Sequence, residues 1–276
     1  MKPQLRADQD PSAVNDHADD SQKNSSSALT LKKGLDVLDR VSKGDSTLGE
    51  IGRSLGVNKT TVHRLASTLV EMDFLSYSPR DGYCLGSRLL ELGFVASHQI
   101  TLTRIAHPHL MRLSADTGDT VSLGIRDGHD VHYIDKIAGT RRIEVRCIVG
   151  ERQALRNTAL GKALLLDESE ETWRDVYRRE AAVMPDYRYE LKTWLGVMAD
   201  YRASGCALDL DENEDHIRCV AAPIRGIRGR IIAAISVSSA KQYMDDERIK
   251  TLEVYVRETA KSISRGMGFK SMSGQS

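Results

Sequence analysis

The sequence predicts an α+β protein of two domains, a small, mostly helical one followed by a larger one with a mostly antiparallel sheet. Three observations predict this class. After a polar start, apolar residues recur at helical spacing, a short hairpin signal follows, and beyond Gly118 the apolar period changes to two. Because 276 residues suffice for two modest cores, we expect the change of period to mark two domains.

Bulk composition leaves the function open, but it argues against zinc-binding, secreted and membrane-spanning proteins. Lys and Arg together number 39, as do Asp and Glu, so no overall field favours a nucleic-acid or membrane partner. The cysteines Cys84, Cys147, Cys206 and Cys219 are scattered without a CxxC pair, which argues for a reducing compartment and against structural zinc. No apolar run approaches the roughly 20 residues of a membrane span, and the N terminus lacks a signal-peptide pattern. We therefore expect a cytoplasmic protein without a membrane partner.

The chain begins with a polar stretch and then becomes helical. Residues 1–26 are rich in Asp, Ser and Asn and show no period, so we expect a disordered tail. From Leu29, apolar residues follow helical spacing as far as Gly44. A first helix is predicted there.

Two shorter helices are predicted next, in the stretch TLGEIGRSLGVNKTTVHRL, which starts at Thr47. Thr47 stands three residues before Glu50, the capping-box spacing that satisfies free N–H groups at a helix start. Gly56 ends that helix, and Asn58 is a strong N-cap candidate for the next. The stretch therefore predicts a helical pair joined by a tight corner.

A hairpin signal follows the helical pair at once. Phe74–Tyr77 and Tyr83–Leu85 are short runs on either side of Asp81-Gly82, a dipeptide typical of tight turns. A helix-turn-helix followed immediately by a small hairpin is a restrictive combination, so residues 27–86 are predicted to form a winged helix-turn-helix DNA-binding domain. The alternative, a helical hairpin with a solvated polar face, stays open on the pattern alone.

The second helix of the pair opens with polar and cationic side chains that are expected to project outward. In a helix-turn-helix, such residues meet base edges while neighbouring donors fix phosphates. Arg64 is the candidate for reading guanine, and Lys59 for a phosphate contact. Thr60 or Thr61 is the candidate for a thymine methyl or a phosphate. The full set of DNA-binding candidates is Thr47, Lys59, Thr60, Thr61, His63, Arg64 and Arg80.

The net charge of this domain is too small for a single copy to bind DNA tightly. Residues 30–86 carry eight Lys or Arg against seven Asp or Glu. Because phosphate neutralisation dominates nonspecific affinity, a single copy of the domain is expected to bind weakly. We infer that two copies act together on a palindromic operator, within a homodimer or a tetramer.

A linker is predicted between the two domains. Residues 87–106 are expected to form a linker helix with a break near Gly93, and Pro108 is expected to start a further helix. Residues 107–270 are then assigned to the second domain, and residues 271–276 to a disordered C terminus.

The second domain is predicted to consist of strands, then helices, then further strands and a final helix. Its sheet is expected to start with a hairpin at Asp127-Gly128 and to continue through Ile143–Val149. Two or three helices are predicted between about residues 159 and 204. The sheet resumes in two runs around a turn at residues 226–229, and a helix with its apolar face from Ile249 to Ile263 closes the domain.

Four motifs in this order resemble the IclR-type bacterial transcriptional regulators. They are SLGVNKTTVHRLASTL in the helical pair, GYCLGSRLLELG at the hairpin and linker, NTALGKALL in the middle, and ENEDHIRCVAAPIRGIRGRIIAAISVS near the end. The resemblance spans roughly Ser27 to Phe269 and implies a winged helix-turn-helix joined to an effector-sensing α/β domain with a GAF-like fold. Two positions depart from the family pattern, because Asp73 and His216 stand where glycine is usual.

The second domain carries the candidate effector site. NTALGK opens a predicted helix, so backbone N–H groups near Ala159 and Leu160 are expected to face an anion such as a small carboxylate. The period of two puts Ser236 and Ser238 on one face of their strand. From the residues alone, Cys219 stays open to the simpler interpretation of a small buried hydrophobe. By resemblance, the effector-binding residues are Ala159, Leu160, Asp209, Cys219, Ser236 and Ser238.

Catalysis finds little support in the sequence. Gly161-Lys162 ends like a phosphate-binding loop, but Arg156 and Ala163 stand where such a loop needs Gly and Ser or Thr. Asp209–Asp215 begins like a calcium loop but lacks its glycine and its final glutamate. Neither a GxSxG elbow nor a convincing triad is found. We predict no catalytic residue, no metal and no cofactor.

The predicted function is a sequence-specific DNA-binding transcriptional regulator whose operator binding is modulated by a small organic acid. Sugar acids are the first candidates, since ENEDHIRCVAAPIR resembles family members that control sugar-acid catabolism; aromatic and short keto acids stay open. Two alternatives come from other classes. One is a ligand-sensing scaffold whose helix-turn-helix contacts protein, and the other is an enzyme with Cys219 as nucleophile and His216 as base.

Overall fold

The computed structural model of the chain describes residues 16–99, 101–143 and 145–270. These residues form two compact units that divide between residues 99 and 100. Among the described helices, none combines the length and apolar character needed to cross a membrane.

The first unit is a winged helix-turn-helix, as predicted. Its elements are α1 (Asp16–Ser42), α2 (Leu48–Leu55), α3 (Lys59–Glu71), β1 (Leu75–Ser78), β2 (Gly82–Leu85) and α4 (Ser87–Gln99). Strands β1 and β2 pair antiparallel and form the wing. The three helices and the wing enclose a core formed by Val37, Val41, Ile51, Val62, Leu65, Ala66, Leu75 and Tyr83.

The predicted caps of α2 and α3 are confirmed. Thr47 Oγ1 accepts the Glu50 N–H at 3.3 Å, and the Glu50 carboxylate accepts the Thr47 N–H at 3.0 Å, which completes a capping box. Gly56 ends α2 with a φ of 65°. Asn58 Oδ1 accepts the Thr61 N–H at 2.8 Å and starts α3.

The predicted tail overlaps the first helix in sequence. Residues 1–15 lie outside the described part of the chain, whereas the main chain of residues 16–26 belongs to α1. The extent of a disordered tail therefore stays a prediction.

Backbone contacts attach the wing to the loop before α2. The Tyr83 N–H donates to the Ser46 carbonyl at 2.8 Å. Gly82 has a φ of 72°, and a Cβ at this position would lie 2.3 Å from the same carbonyl oxygen. Only glycine fits at this corner, so the wing position is fixed by main-chain atoms.

The two departures from the family pattern coincide with positive φ. Asp73, just after α3, has a φ of 58°, and His216 has a φ of 63°. Glycine enters this left-handed region without steric cost, which explains why it is usual at both positions. This chain keeps the backbone conformation with side chains that enter it less readily.

The second unit is built around a six-stranded sheet. The strands are β3 (Thr120–Asp127), β4 (Asp130–Ile137), β5 (Arg152–Ala154), β6 (Ala207–Leu210), β7 (Ile217–Arg225) and β8 (Ile231–Ala240). Their order in the sheet is β5-β4-β3-β8-β7-β6, and each neighbouring pair is antiparallel, in agreement with the prediction. The helices are α5 (Leu102–Thr117), α6 (Ala159–Leu164), α7 (Glu170–Val183), α8 (Leu191–Ser204) and α9 (Asp246–Gly266).

The sheet carries a separate core on each face. Val220, Ile235 and Val237 pack with residues of α5 and α9 on one side. Ala221 and Ala234, which alternate with them along the strands, pack with residues of α6, α7 and α8 on the other. The second core includes the small residues that leave room for a cavity.

The helices around the predicted linker have different limits. α4 runs without a break through Gly93, and α5 already begins at Leu102, where Thr101 Oγ1 accepts the Arg104 N–H at 3.3 Å. Pro108 lies inside α5 and does not start it. Proline often marks a helix start, but here the side-chain cap at Thr101, seven residues upstream, decides where the helix begins.

Two strand assignments also differ from the prediction. The described residues of Ile143–Val149 form no strand, because Gly150 and Glu151 already bond to the main chain of Tyr133 on β4, at 2.8 and 3.1 Å. Strand β5 follows directly and occupies that sheet edge. The edge strand β6 was not predicted, since its four residues are too short for a clear alternation.

Candidate functional sites

A groove of about 900 Å³ lies between α3 and the wing. Lys59, His63 and Ser67 follow one another at four-residue spacing along α3 and line one side. Pro79 and Arg80 line the other side, at the tip of the wing. The groove is therefore open to solvent and edged by cationic and polar side chains from two elements.

The structure divides the seven DNA-binding candidates between two surfaces. Those that line the groove are Thr47, Lys59, His63 and Arg80. Thr60 and Arg64 are exposed on the neighbouring face of α3, and Thr61 is half-buried. Arg64 borders an apolar groove of about 230 Å³ between α1 and α3. The candidates thus lie on two neighbouring surfaces, one facing the wing and one facing α1.

Thr47 already has a structural role. Its hydroxyl accepts the Glu50 N–H and lies 2.9 Å from the Glu50 carboxylate. The cap alone explains the residue, so any contact with DNA would be additional to that role. The sequence could not separate these two functions, because threonine serves both.

All six candidate effector residues line one cavity in the second unit. Asp209, Cys219 and Ser238 form a row across β6, β7 and β8, because Asp209 pairs with Cys219 and Cys219 pairs with Ser238. Ser236 lies two residues along β8 on the same face. The first turn of α6 supplies Ala159 and Leu160.

Other cavity residues were missed by the sequence analysis. They are Ser122, Tyr133, Val145, Arg146, Cys147, Gln153, Thr158, Asn213, Glu214 and Ile217. Ser122 was detectable in principle, since alternation along β3 places it on the cavity side. The residues of the loop before β5 were not, because that stretch was assigned to a strand.

Hydrogen bonds hold the polar side chains of the cavity in place. Gln153 Oε1 accepts the Tyr133 hydroxyl at 3.1 Å and the Asn213 amide at 3.3 Å, which fixes the orientation of the Gln153 amide. The Ser122 hydroxyl lies 3.1 Å from the Cys147 sulfur. These residues come from five different segments, so the cavity is assembled by the tertiary fold.

The first turn of α6 presents backbone donors to the cavity. Thr158 Oγ1 accepts the Gly161 N–H at 3.0 Å and caps the helix. The N–H groups of Ala159 and Leu160 have no acceptor within the helix, because the first amides of any helix lack one. A Cβ on Gly161 would lie 2.4 Å from Leu155 backbone atoms, so glycine permits the close docking of this turn.

A buried ion pair lies next to this turn. Lys162 Nζ and Glu212 Oε2 are 2.6 Å apart, and both side chains have no exposed surface. The Tyr187 hydroxyl donates to the same Glu212 oxygen. The ion pair therefore fixes α6 to the segment that follows β6.

Asp209 is a buried acid in the cavity wall. Its Oδ1 accepts the N–H groups of Glu212 at 2.8 Å and Asn213 at 3.4 Å. Burial raises the pKa of Asp209 to about 7, although the nearby Lys162 charge and the backbone hydrogen bond from Glu212 act in the opposite direction. This carboxyl is therefore close to half-protonated near neutral pH.

Cys219 is held as a neutral thiol. Desolvation raises the pKa of Cys219 well above its usual range, and the charge of Asp209 adds to that rise. His216 is exposed in the turn before β7 and does not line the cavity. A nucleophile needs thiolate and a partnered base, and this arrangement favours neither. Among the described residues, no cluster of three or more His, Cys, Asp or Glu is placed to hold a metal ion.

Family comparisons match both units. The model described as the IclR helix-turn-helix domain matches residues 30–79. The model described as the bacterial transcriptional regulator IclR C-terminal domain matches residues 94–265.

Curated relatives match along nearly their whole length. The HTH-type transcriptional regulator XynR of Escherichia coli strain K12 is 30% identical over 254 residues, which cover 87% of this chain and 97% of the relative. The DNA-binding transcriptional repressor YiaJ of the same strain is 29% identical over 248 residues, covering 87% of this chain and 88% of the relative.

Solved structures share the fold. The repressor BlcR of Agrobacterium tumefaciens has a TM-score of 0.73 at 25% identity and covers 90% of this chain and 100% of its own. The IclR protein of Thermotoga maritima has a TM-score of 0.56 at 28% identity, with 88% and 100% covered. With both of its units matched in the order in which they occur, the chain belongs to the IclR family of bacterial transcriptional regulators.

Proposed function

We propose that this protein regulates transcription by binding a palindromic DNA operator as a dimer or tetramer, and that a small organic acid bound in the second unit modulates that binding. The observation that supports the first part is the exposed side of α3 and the wing, which carries Lys59, His63, Arg64 and Arg80. Its exposure and polarity suit a helix lying in a major groove with a wing beside it. DNA of a bacterial cell lies in the cytoplasm, which is the compartment that we propose.

The residues of α3 divide into two roles in this proposal. Thr60 and Arg64 project from one face and are assigned to base edges, where Arg64 reads guanine. Lys59 and Arg80 border the groove and are assigned to phosphates, as donors that position the duplex. Thr61 and His63 are assigned to supporting contacts.

Two copies are required because one has little net attraction for DNA. The near balance of charge over residues 30–86 leaves few uncompensated cations, and nonspecific affinity depends on their number. Pairing two reading units doubles the base contacts and makes the operator palindromic.

The size and lining of the cavity support a small, polar effector. Its volume of about 30 Å³ is room for roughly two water molecules. Hydroxyls of Ser236 and Ser238 and the amides of Ala159 and Leu160 are suitable partners for a carboxylate. A two- or three-carbon acid needs the least rearrangement, whereas a six-carbon sugar acid requires a larger expansion of the cavity.

Effector binding must distinguish two arrangements of the paired reading units. A ligand with equal affinity for both arrangements would shift neither, however tightly it binds. By linkage, operator DNA then changes the affinity for the acid by the same factor. Effector affinity measured with and without operator therefore gives the coupling free energy directly.

Selection from randomised duplex DNA, repeated at two salt concentrations, tests the function. We expect an enriched palindrome whose affinity falls steeply with salt. Arg80→Ala is a matched variant that should weaken binding without changing the selected sequence. Absence of salt-dependent DNA binding would support a scaffold whose helix-turn-helix contacts protein.

A further inference from the structure

We propose that a carboxylate effector enters the cavity together with one proton, which is held by Asp209. This inference rests on the effector class proposed above and adds to it a proton stoichiometry and a pH response. The arrangement of charge around the cavity wall supports it.

The nearest buried cation is already paired. Lys162 Nζ lies 2.6 Å from Glu212 Oε2, and the Tyr187 hydroxyl and the Leu210 N–H also donate to the Glu212 carboxylate. Within the described ranges, no Lys, Arg or His nitrogen forms an ion pair with Asp209. Among the residues that the structure describes, Lys162 is thus the one cation close to the two buried carboxyls of Glu212 and Asp209, and its ion pair is with Glu212.

Asp209 has one oxygen available to a ligand. Oδ1 accepts the backbone N–H groups of Glu212 and Asn213, whereas Oδ2 has no hydrogen-bond partner in the described part of the chain. The residue is 2% exposed and lines the cavity. A bound ligand therefore meets Oδ2 in a desolvated place, where the protonation state of this oxygen decides between attraction and repulsion.

The groups that face Asp209 from other elements do not supply a compensating charge. Tyr133 on β4, Tyr201 on α8 and Cys219 on β7 are close enough for the Asp209 charge to raise the pKa of each, and burial keeps all three neutral. Lys162 on α6 is the paired cation, with Glu212 as its partner.

Two further charged residues line the same cavity. They are Arg146, on the loop before β5, and Glu214, after β6, and they carry opposite signs. Both are exposed, so water screens their charges more strongly than the charge of the buried Asp209.

A carboxylate ligand makes the protonated form of Asp209 the favoured one. Two ionised carboxyls in one small cavity repel each other, and the pair gains stability when one takes up a proton. The protonated Asp209 then donates an O–H···O⁻ hydrogen bond to the ligand, a short and strong type of bond. Burial already raises the pKa of Asp209 to about 7 in the free protein, so the uptake at pH 8 approaches one proton per site.

The expected signature is a pH-dependent affinity. Well below pH 7, Asp209 is protonated before the acid binds, and the Kd for the acid stays nearly constant. Above that pH, the Kd rises by up to tenfold for each pH unit, because each binding event must first acquire a proton. A neutral analogue, such as the corresponding amide, lacks this dependence.

Calorimetry on the full chain tests the proposal with glycolate, lactate and pyruvate as probes. Titrations at pH 8 in phosphate and in Tris, buffers with different ionisation enthalpies, give the number of protons taken up. We expect a value near one for the native chain and near zero for Asp209→Asn, which keeps the shape and a hydrogen-bond donor. Asp211→Asn is the matched control, since Asp211 is paired with Lys241 outside the cavity and the native uptake should persist.

Each other result has a defined meaning. An acid that binds without proton uptake overturns this inference and leaves the proposed function intact. If none of the acids binds between pH 5.5 and 8.5, the proposed effector class fails and this inference fails with it. Should Asp209→Asn not fold, ¹³C spectra of aspartate carboxyls in the native chain replace it: a carboxyl titrating near pH 7 is expected, and titration of all of them below pH 5 overturns the proposal.

Discussion

The two units of this protein differ in where their charged side chains lie. On α3 and the wing, Lys59, His63, Arg64 and Arg80 are exposed, and the core beneath them is apolar. In the second unit, Lys162 and Asp209 lie inside the fold. The difference teaches that substitutions of these exposed cations should leave the stability of the fold almost unchanged, whereas substitutions of Lys162 or Asp209 should alter it.

The largest change in stability is expected when the buried cation Lys162 is removed. Lys162→Met leaves the Glu212 carboxylate buried without its ion-pair partner, and we expect a loss of about 3–5 kcal/mol in the free energy of unfolding. Urea denaturation of the full chain measures it.

A surface pair provides the control for that variant. Lys241→Met breaks the half-exposed pair of Lys241 with Asp211 and should cost about 1 kcal/mol or less. The double variant Lys162→Met/Glu212→Leu should regain most of the loss, because no unpaired charge remains buried. A loss below 1 kcal/mol for Lys162→Met would show that Glu212 is not charged in the native state.

The second test concerns pH and the cavity acid. Because the pKa of Asp209 is raised to about 7 in the fold and is near its ordinary value when unfolded, the folded state holds a proton that the unfolded state releases between about pH 4 and 7. As the pH rises through that window, the free energy of unfolding therefore falls by an amount on the order of 4 kcal/mol from this group. Asp209→Asn should remove that part of the pH dependence in urea denaturation series. An unchanged pH profile would contradict the raised pKa.

The third test concerns the exposed cations of the first unit. Arg64→Ala should reduce discrimination at one position of each half-site by about 1–3 kcal/mol while leaving the unfolding free energy unchanged within about 0.5 kcal/mol. Lys59→Ala should instead weaken all sequences alike and lower the salt slope by about one per copy. Binding to the selected operator and its single-base variants distinguishes the two, and uniform weakening by Arg64→Ala would make Arg64 a phosphate contact.

The smallest change in stability is expected from the two non-glycine residues with positive φ. Asp73→Gly and His216→Gly should each stabilise the fold by about 0.5–1 kcal/mol, because glycine enters the positive-φ region without strain. Gly56→Ala, the opposite change at a φ of 65°, should destabilise by a similar amount. Thermal unfolding resolves such shifts, and a loss of stability in Asp73→Gly would mean that the carboxylate makes a compensating contact.

Local signals made much of the first unit predictable. The Thr47–Glu50 box, the Asn58 cap and the Asp81-Gly82 turn each act within four residues, so their geometry is present in the sequence itself. The same holds for the Asp127-Gly128 hairpin in the second unit. The misplaced helix start at Pro108 came from weighing one local signal above another.

Nonlocal contacts explain what the sequence analysis missed. Ile143–Val149 has strand composition, but the edge of β4 that it would need is occupied by the segment after it. Lys162 and Glu212 are fifty residues apart and look like surface charges until the fold pairs them. The resemblance supplied the six cavity residues because it carries tertiary information, whereas Tyr133 and Gln153 required the register of β4 and β5.

The attachment of the wing by main-chain atoms has a consequence for how new operators arise. The Tyr83 N–H bond to the Ser46 carbonyl and the close approach at Gly82 use no side chain of α3. In the proposed function, where Thr60 and Arg64 are assigned to base edges, substitutions at these two positions therefore alter the DNA sequence that is read while the wing keeps its place. Duplicated genes for such a protein can diverge in target by one or two codon changes, and the same two positions are the natural ones to randomise when the protein is retargeted in the laboratory.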